Sequence, residues 1–281
     1  MSKGSRRSES GAIARRLKEG RGQGSEKSYK PWLTVRDVPS RGLSVRIKGR
    51  KTGRVHHLLS QLELSYFLML DDIRAGCVTD IREQFPLTPI ETTLEIADML
   101  SIRHPKDPKT GEPIVMTTDF LVIVTSADGG RRLARTLKPS ADLGSPRVIE
   151  KFEIERIYWE TQGVDWGIVT EREIPQSLVG NLRSLQGCWD TDNLPAVAVP
   201  QIERIEAELH RALSDKSIPL FQAALDCDGR LGFENGTSLA VAKYLIATRR
   251  WDIDLHQPIK TEENLHILIR GHGSTEMAPG G

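Results

Sequence analysis

The chain has 281 residues, 38% hydrophobic and 27% charged, enough for one large domain or two ordinary ones around a buried core. It has no N-terminal apolar stretch and no apolar run of about 18 residues, which argues against a signal peptide, a spanning helix or a membrane partner and points to the cytoplasm. Net charge is +1, yet residues 1–56 hold sixteen Lys and Arg against four Asp and Glu, a local +12 that leaves −11 on the remainder and suits an arm meeting polyanionic phosphates.

In chain order, residues 1–10 read as a disordered basic tail, and 12–19 as a short basic helix stopped by the glycines of 20–24. An extended segment is predicted over 32–38, then a hairpin around 50–54. From 55 to 70, Leu58, Leu59, Leu62, Tyr66, Phe67, Met69 and Leu70 recur at helical spacing and predict an amphipathic helix. A strand over 78–85 and a helix over 92–101 follow. Residues 119–124 predict a buried strand, 126–130 a turn, and 131–138 the partner strand. Alternation in that partner puts Ala134, Thr136 and Lys138 on one face and Leu133, Arg135 and Leu137 on the other. A helix over 147–162 and a strand over 164–170 complete an α/β sandwich around a mixed sheet.

After residue 170 the pattern changes to helices over 202–214, 218–225 and 238–250, with a turn at Asp228-Gly229. Two short alternating runs, 253–259 and 265–269, then give the helix, helix, helix, hairpin order of a winged helix. The expected domains are therefore 11–170 and 171–270, with 271–281 a disordered tail. Cys77, Cys188 and Cys227 are odd in number and lack ligand spacing, so they indicate neither disulfides nor zinc.

Three charged residues interrupt apolar patterns: Glu63 in the amphipathic helix, Asp119 opening one strand and Lys138 closing the next. Burying such groups is costly without compensation. A divalent cation gripped by the two carboxylates, with the ammonium nearby, would compensate them and would also hydrolyse a phosphodiester. Oxygen-only ligands favour Mg²⁺, with Mn²⁺ as a substitute, over zinc. Helix carboxylate, strand Asp and adjacent-strand Lys together resemble the PD-D/E-x-K nuclease superfamily.

Longer runs carry a more specific likeness. Lys51-Thr-Gly-Arg-Val-His-His-Leu-Leu-Ser60, Leu62-Glu-Leu64, Asp80-Ile-Arg-Glu-Gln-Phe-Pro-Leu87, Met116-Thr-Thr-Asp-Phe-Leu121 and Glu153-Ile-Glu-Arg-Ile-Tyr-Trp159 resemble the TnsA endonuclease family, over roughly residues 13–175. The resemblance implies a restriction-endonuclease-like fold and a cut-and-paste transposase subunit. Such a subunit cleaves 5′ transposon ends, while TnsB, a DDE transposase, cuts and joins the 3′ ends and TnsC, an AAA+ ATPase, regulates the pair. It also implies Glu63, Asp119 and Lys138 as catalytic residues. Glu63, Asp119 and the Leu137 carbonyl would be the metal ligands. Where the superfamily has an acid this chain has Thr136, expected to line the site, and Glu155 is expected to support it from the following helix.

DNA contacts are expected from Arg15, Arg16, Lys18, Arg54 and His56 near the N-terminus and from Lys243 and Arg249 in the C-terminal domain. His56 and His57, adjacent on the predicted helix, would point about 100° apart and not share an ion. Two other readings are a stand-alone restriction or repair nuclease and a non-enzymatic winged-helix regulator.

Overall fold

The computed structural model describes residues 9–38, 44–126, 129–214, 218–263 and 268–269. The chain divides into two compact units, one ending at Ile174 and the other beginning at Pro175. The sequence reading set that boundary at 170/171.

The first unit opens with helix α1 (Glu9–Lys18) and the glycine run. Gly22 has φ +76°, and a Cβ there would come within 2.3 Å of Pro86 Cγ, so the loop can lie against the neighbouring strand only without a side chain. Residues 32–38, expected as extended, instead turn about Asp37. Its carboxylate accepts hydrogen bonds from the Thr34 amide, the Thr34 hydroxyl and Arg21.

Strands β1 (Val45–Lys48) and β2 (Val55–Leu58) form the expected antiparallel hairpin. The helix predicted from 55 therefore starts later: α2 runs Gln61–Asp71. Residues 55–58 are a strand because His56 and Leu58 are buried alternately with the exposed Val55, a period of two concealed by the apolar residues that follow. Ser60 caps the helix, its hydroxyl accepting from the Glu63 amide.

Next come β3 (Val78–Pro86), α3 (Ile90–Met99), β4 (Thr117–Ser126), β5 (Gly129–Leu137), α4 (Pro146–Glu160) and β6 (Asp165–Val169). The four strands form one mixed sheet in the order β3-β4-β5-β6, antiparallel except for the parallel β5/β6 pair. Leu87, Ile96, Leu121, Ala134, Ile154 and Trp159 pack the core between the sheet and α3/α4. Phe120 alternates to the other face and meets Tyr66 of α2 edge-on at 5.6 Å. This mixed sheet flanked by helices is the α/β plan of a restriction-endonuclease-like nuclease. Two residues of the 126–130 turn, Ala127 and Asp128, lie outside the described residues, as do the tail residues 1–8 and 271–281.

The second unit contains α5 (Gln176–Ser184), α6 (Val199–Ser214), α7 (Leu220–Leu231) and α8 (Thr237–Ala247), then short strands β7 (Trp251–Asp252) and β8 (Leu268–Ile269). The last three of these helices, α6 to α8, precede the antiparallel β7/β8 pair. The turn expected at Asp228-Gly229 lies inside α7, which Gly232 ends at φ +74°. Asp228 is fully buried, and its carboxylate accepts from the Gly236 and Ser238 amides at the start of α8. The strand expected over 253–259 lies earlier: Trp251 and Asp252 pair with Ile269 and Leu268, residues 253–259 form no strand, and residues 264–267 lie outside the described set.

Candidate functional site

Glu63 sits at the third position of α2, where its carboxylate accepts from the Leu59 amide at 2.9 Å and the Ser60 hydroxyl at 2.9 Å. Reciprocal bonding with a capping serine is a common helix-start device and by itself would make Glu63 structural. Glu63 is nevertheless 6% exposed, and among the described residues no Lys or Arg pairs with its carboxylate. Burial first, then the charge of Asp119, raises its pKa well above the usual carboxylate range.

Asp119 reaches the same place through a break in strand alternation. Thr118 and Leu121 face α4, the former through Glu155 and the latter through the core, whereas Phe120 faces α2. Asp119 between them turns its carboxylate toward the end of β5, where Oδ2 accepts from the Leu137 amide at 2.7 Å. Opposite, Gln84 in β3 has φ +48°, an uncommon conformation for a residue with a long side chain. The Gln84 Nε2 donates to Asp119 Oδ1 at 3.2 Å and approaches Glu63 Oε2 at 3.5 Å. Burial raises the Asp119 pKa despite donation from Leu137 and Gln84 and the field of Lys138.

Lys138 lies just past β5, with its side chain one-third exposed and Nζ 3.1 Å from Asp142 Oδ2. Asp142 belongs to a 3-10 helix, Ser140–Gly144. Behind Asp119, Glu155 of α4 accepts from the Thr118 hydroxyl at 2.6 Å and from the Thr136 hydroxyl. Burial leads in pushing Glu155 up to about 7, with the Asp119 charge adding to it. The structure thus gathers Glu63, Asp119 and Leu137, sets Lys138 at the rim and puts Thr136 against Glu155.

These residues suit a hard divalent cation. A buried carboxylate, Glu63, and a half-buried one, Asp119, both have raised pKa values, and the Lys138 ammonium is engaged with Asp142. Among the described residues no three His, Cys, Asp or Glu side chains form a ready-made cage.

One residue away, the surroundings of Glu83 are the opposite. Its carboxylate is fully buried and meets Arg54 at 2.8 and 2.5 Å, His56 Nδ1 at 2.8 Å and the His57 amide at 3.1 Å. Burial opposes the charge, but Arg54 and His56 overcome it and hold Glu83 down at about 2. Arg54 and His56, expected as DNA contacts, are therefore interior residues committed to this cluster. Thr52 completes it, 2.7 Å from His56 Nε2.

Arg15 and Lys18 lie exposed on α1, Arg15 beside Glu19 at 3.7 Å. The Arg16 guanidinium lies 5.5 Å from the Trp32 ring centre. Lys243 lines a cavity with Cys188, Asn193 and Gly236, and Arg249 lies 3.6 Å from Asp252. Gln84 and Thr118 were missed from the sequence. Both read as ordinary strand residues, and only their place in the quoted runs around 80–87 and 116–121 hinted at more.

Comparison with known proteins accords with this geometry. Residues 76–171 match the family described as TnsA-like endonuclease N terminal, and residues 173–255 match TnsA endonuclease C terminal. The chain is 43% identical over 258 residues to the Escherichia coli "Transposon Tn7 transposition protein TnsA", covering 92% of this chain and 90% of that protein. With both halves matched and a relative similar along nearly its whole length, the chain belongs to the TnsA family and is a DNA endonuclease.

Proposed function

We propose that this protein is the transposase subunit that hydrolyses the phosphodiester at the 5′ ends of a transposon, while TnsB cuts and joins the 3′ ends and TnsC regulates the pair. It works in the cytoplasm on nucleoid DNA. The observation that carries the reading is the pair Glu63, buried, and Asp119, half-buried, brought to one neutral donor, the Gln84 amide. Family membership favours this over a regulator without catalysis.

When bound, a divalent ion, Mg²⁺ with Mn²⁺ as substitute, supplies neutralisation of the phosphate and an acidified water. Glu63, Asp119 and the Leu137 carbonyl would hold it. Lys138 Nζ at the rim orients the attacking water and offsets charge developing on the phosphate, exchanging Asp142 for the substrate. Glu155 backs Asp119 from the α4 side, tying β4 through Thr118 and β5 through Thr136. Arg15, Arg16 and Lys18 contact phosphates from the N-terminal arm, and Lys243 and Arg249 do so from the second unit. A site that cut DNA without assembly would damage its host, so positioning by partners is part of the activity.

Excision from a plasmid carrying the element's ends, with TnsB and TnsC present, tests the reading. Asp119→Ala is expected to abolish 5′ nicks and leave 3′ cuts. Unchanged 5′ nicks would overturn it, and robust cutting by the purified chain alone would favour a stand-alone nuclease.

A further inference from the structure

We propose that Gln84 is a positioning residue of the cleavage site, a neutral clamp whose single amide nitrogen holds the Glu63 and Asp119 carboxylates on one gap so that a metal ion can enter between them. The inference rests on reading those two carboxylates as metal ligands.

Gln84 is 3% exposed and fixed on every side. Its backbone carbonyl accepts from the Trp32 amide at 3.1 Å, and its side-chain oxygen accepts from the Thr117 hydroxyl at 3.1 Å. The oxygen is turned to Thr117 and the amide nitrogen to the two carboxylates, the end that can donate to them. The residue before it, Glu83, is tied down by Arg54 and His56. The φ of +48° lifts this one side chain out of the regular strand pattern at the level of Asp119. A costly backbone conformation that serves to aim a buried amide between two acids is a functional signature more than a packing one.

The choice of an amide has a physical reason. Glu63 comes from α2 and Asp119 from β4, and nothing covalent near either stops like charges from turning apart. A Lys or Arg between them would draw them together more strongly but would fill the place of the cation. An amide gives its two N–H groups, one toward each acid, and adds no net charge, so the pair stays aimed and still needs a metal.

The test compares the wild-type chain with Gln84→Leu, Gln84→Asn, Gln84→Lys and Asp119→Asn. Mn²⁺ binding is read by electron paramagnetic resonance on the purified protein, and the Mg²⁺ dependence of 5′ nicking in the full assembly is read alongside it. Leu keeps the volume without the donor. Asn keeps the amide and tolerates positive φ but is too short to span both acids. Both are expected to weaken Mn²⁺ binding at least tenfold and to nick normally when Mg²⁺ is raised. Lys is expected to abolish Mn²⁺ binding while the melting temperature holds or rises, a combination no packing role would give.

Wild-type Mn²⁺ affinity and Mg²⁺ dependence in Gln84→Leu and Gln84→Asn would overturn the clamp. If neither variant folds, Thr117→Val decides, since it frees the amide and leaves Gln84 in place. Mn²⁺ binding weakened about tenfold, the low end of what residues behind a ligand give, supports the clamp, and no change overturns it. Asp119→Asn separates the two ideas: if it binds Mn²⁺ and nicks like wild type, the catalytic reading fails, whereas an Asp119→Asn that loses both beside a Gln84→Leu that keeps both removes the clamp alone.

Discussion

Glu83 and Gln84 are neighbours in one strand, yet they head two buried acidic clusters of opposite character. Around Glu83, an Arg, a His and a backbone amide satisfy the carboxylate and hold it ionised at about 2. Around Gln84, Glu63 and Asp119 receive neutral donors alone among the described residues, and burial drives both pKa values up. A satisfied buried charge is structural, joining the N-terminal hairpin to the sheet. A pair like Glu63 and Asp119, one buried and one half-buried, is short of positive charge and suits a cationic ligand.

The largest effect expected to sharpen this contrast is catalytic. Glu63→Gln and Asp119→Asn should each lower 5′ nicking on the order of 10³–10⁴-fold, with cooperative unfolding retained, as gel-resolved nick rates and thermal melts would show. The same change in the other cluster should do the reverse. Arg54→Met leaves Glu83 buried without its main partner and is expected to cost ~3–5 kcal/mol in denaturant unfolding. Equal stability losses from Asp119→Asn and Arg54→Met would erase the distinction.

The pH dependence should differ in sign. Glu83 has a folded pKa lowered from 4.5 to about 2, so its stabilisation is present above the unfolded value and lost as pH falls from about 4.5 toward 2. That loss amounts to ~3 kcal/mol, absent in Glu83→Gln. Glu63 and Asp119 are raised, so their contribution is complete at acid pH and declines as pH climbs through the raised values into the neutral range. Mg²⁺ should reverse that decline, by about 1.4 kcal/mol at tenfold over its Kd, and should release protons on binding, measurable by calorimetry in two buffers. The smallest effect is on the exposed arm: Lys18→Ala should weaken DNA binding only a few-fold and lower the salt slope by about one.

The difference between the clusters also explains what could be read early. Glu63 stood out because it interrupts a stripe of Leu59, Leu62 and Phe67, and Asp119 because it opens an apolar strand. Arg54 and His56 carried no such mark. In a basic arm they read as phosphate contacts, because the acid that claims them, Glu83, lies some thirty residues farther along the chain. The same distance hid Gln84, whose partners come from α2 and β4. The early end given to α7 has a local cause, since Asp228-Gly229 is turn chemistry that tertiary contacts override by using Asp228 to cap α8.

By itself the sequence determined the alternation of helices and strands, the basic arm and the motifs that carry the family likeness, because period and composition are local properties. Only the tertiary structure decided which buried charges are neutralised and which are left needing a cation. Ionisation inside a protein is set by donors and charges brought across the fold, and no spacing along the chain encodes that distance.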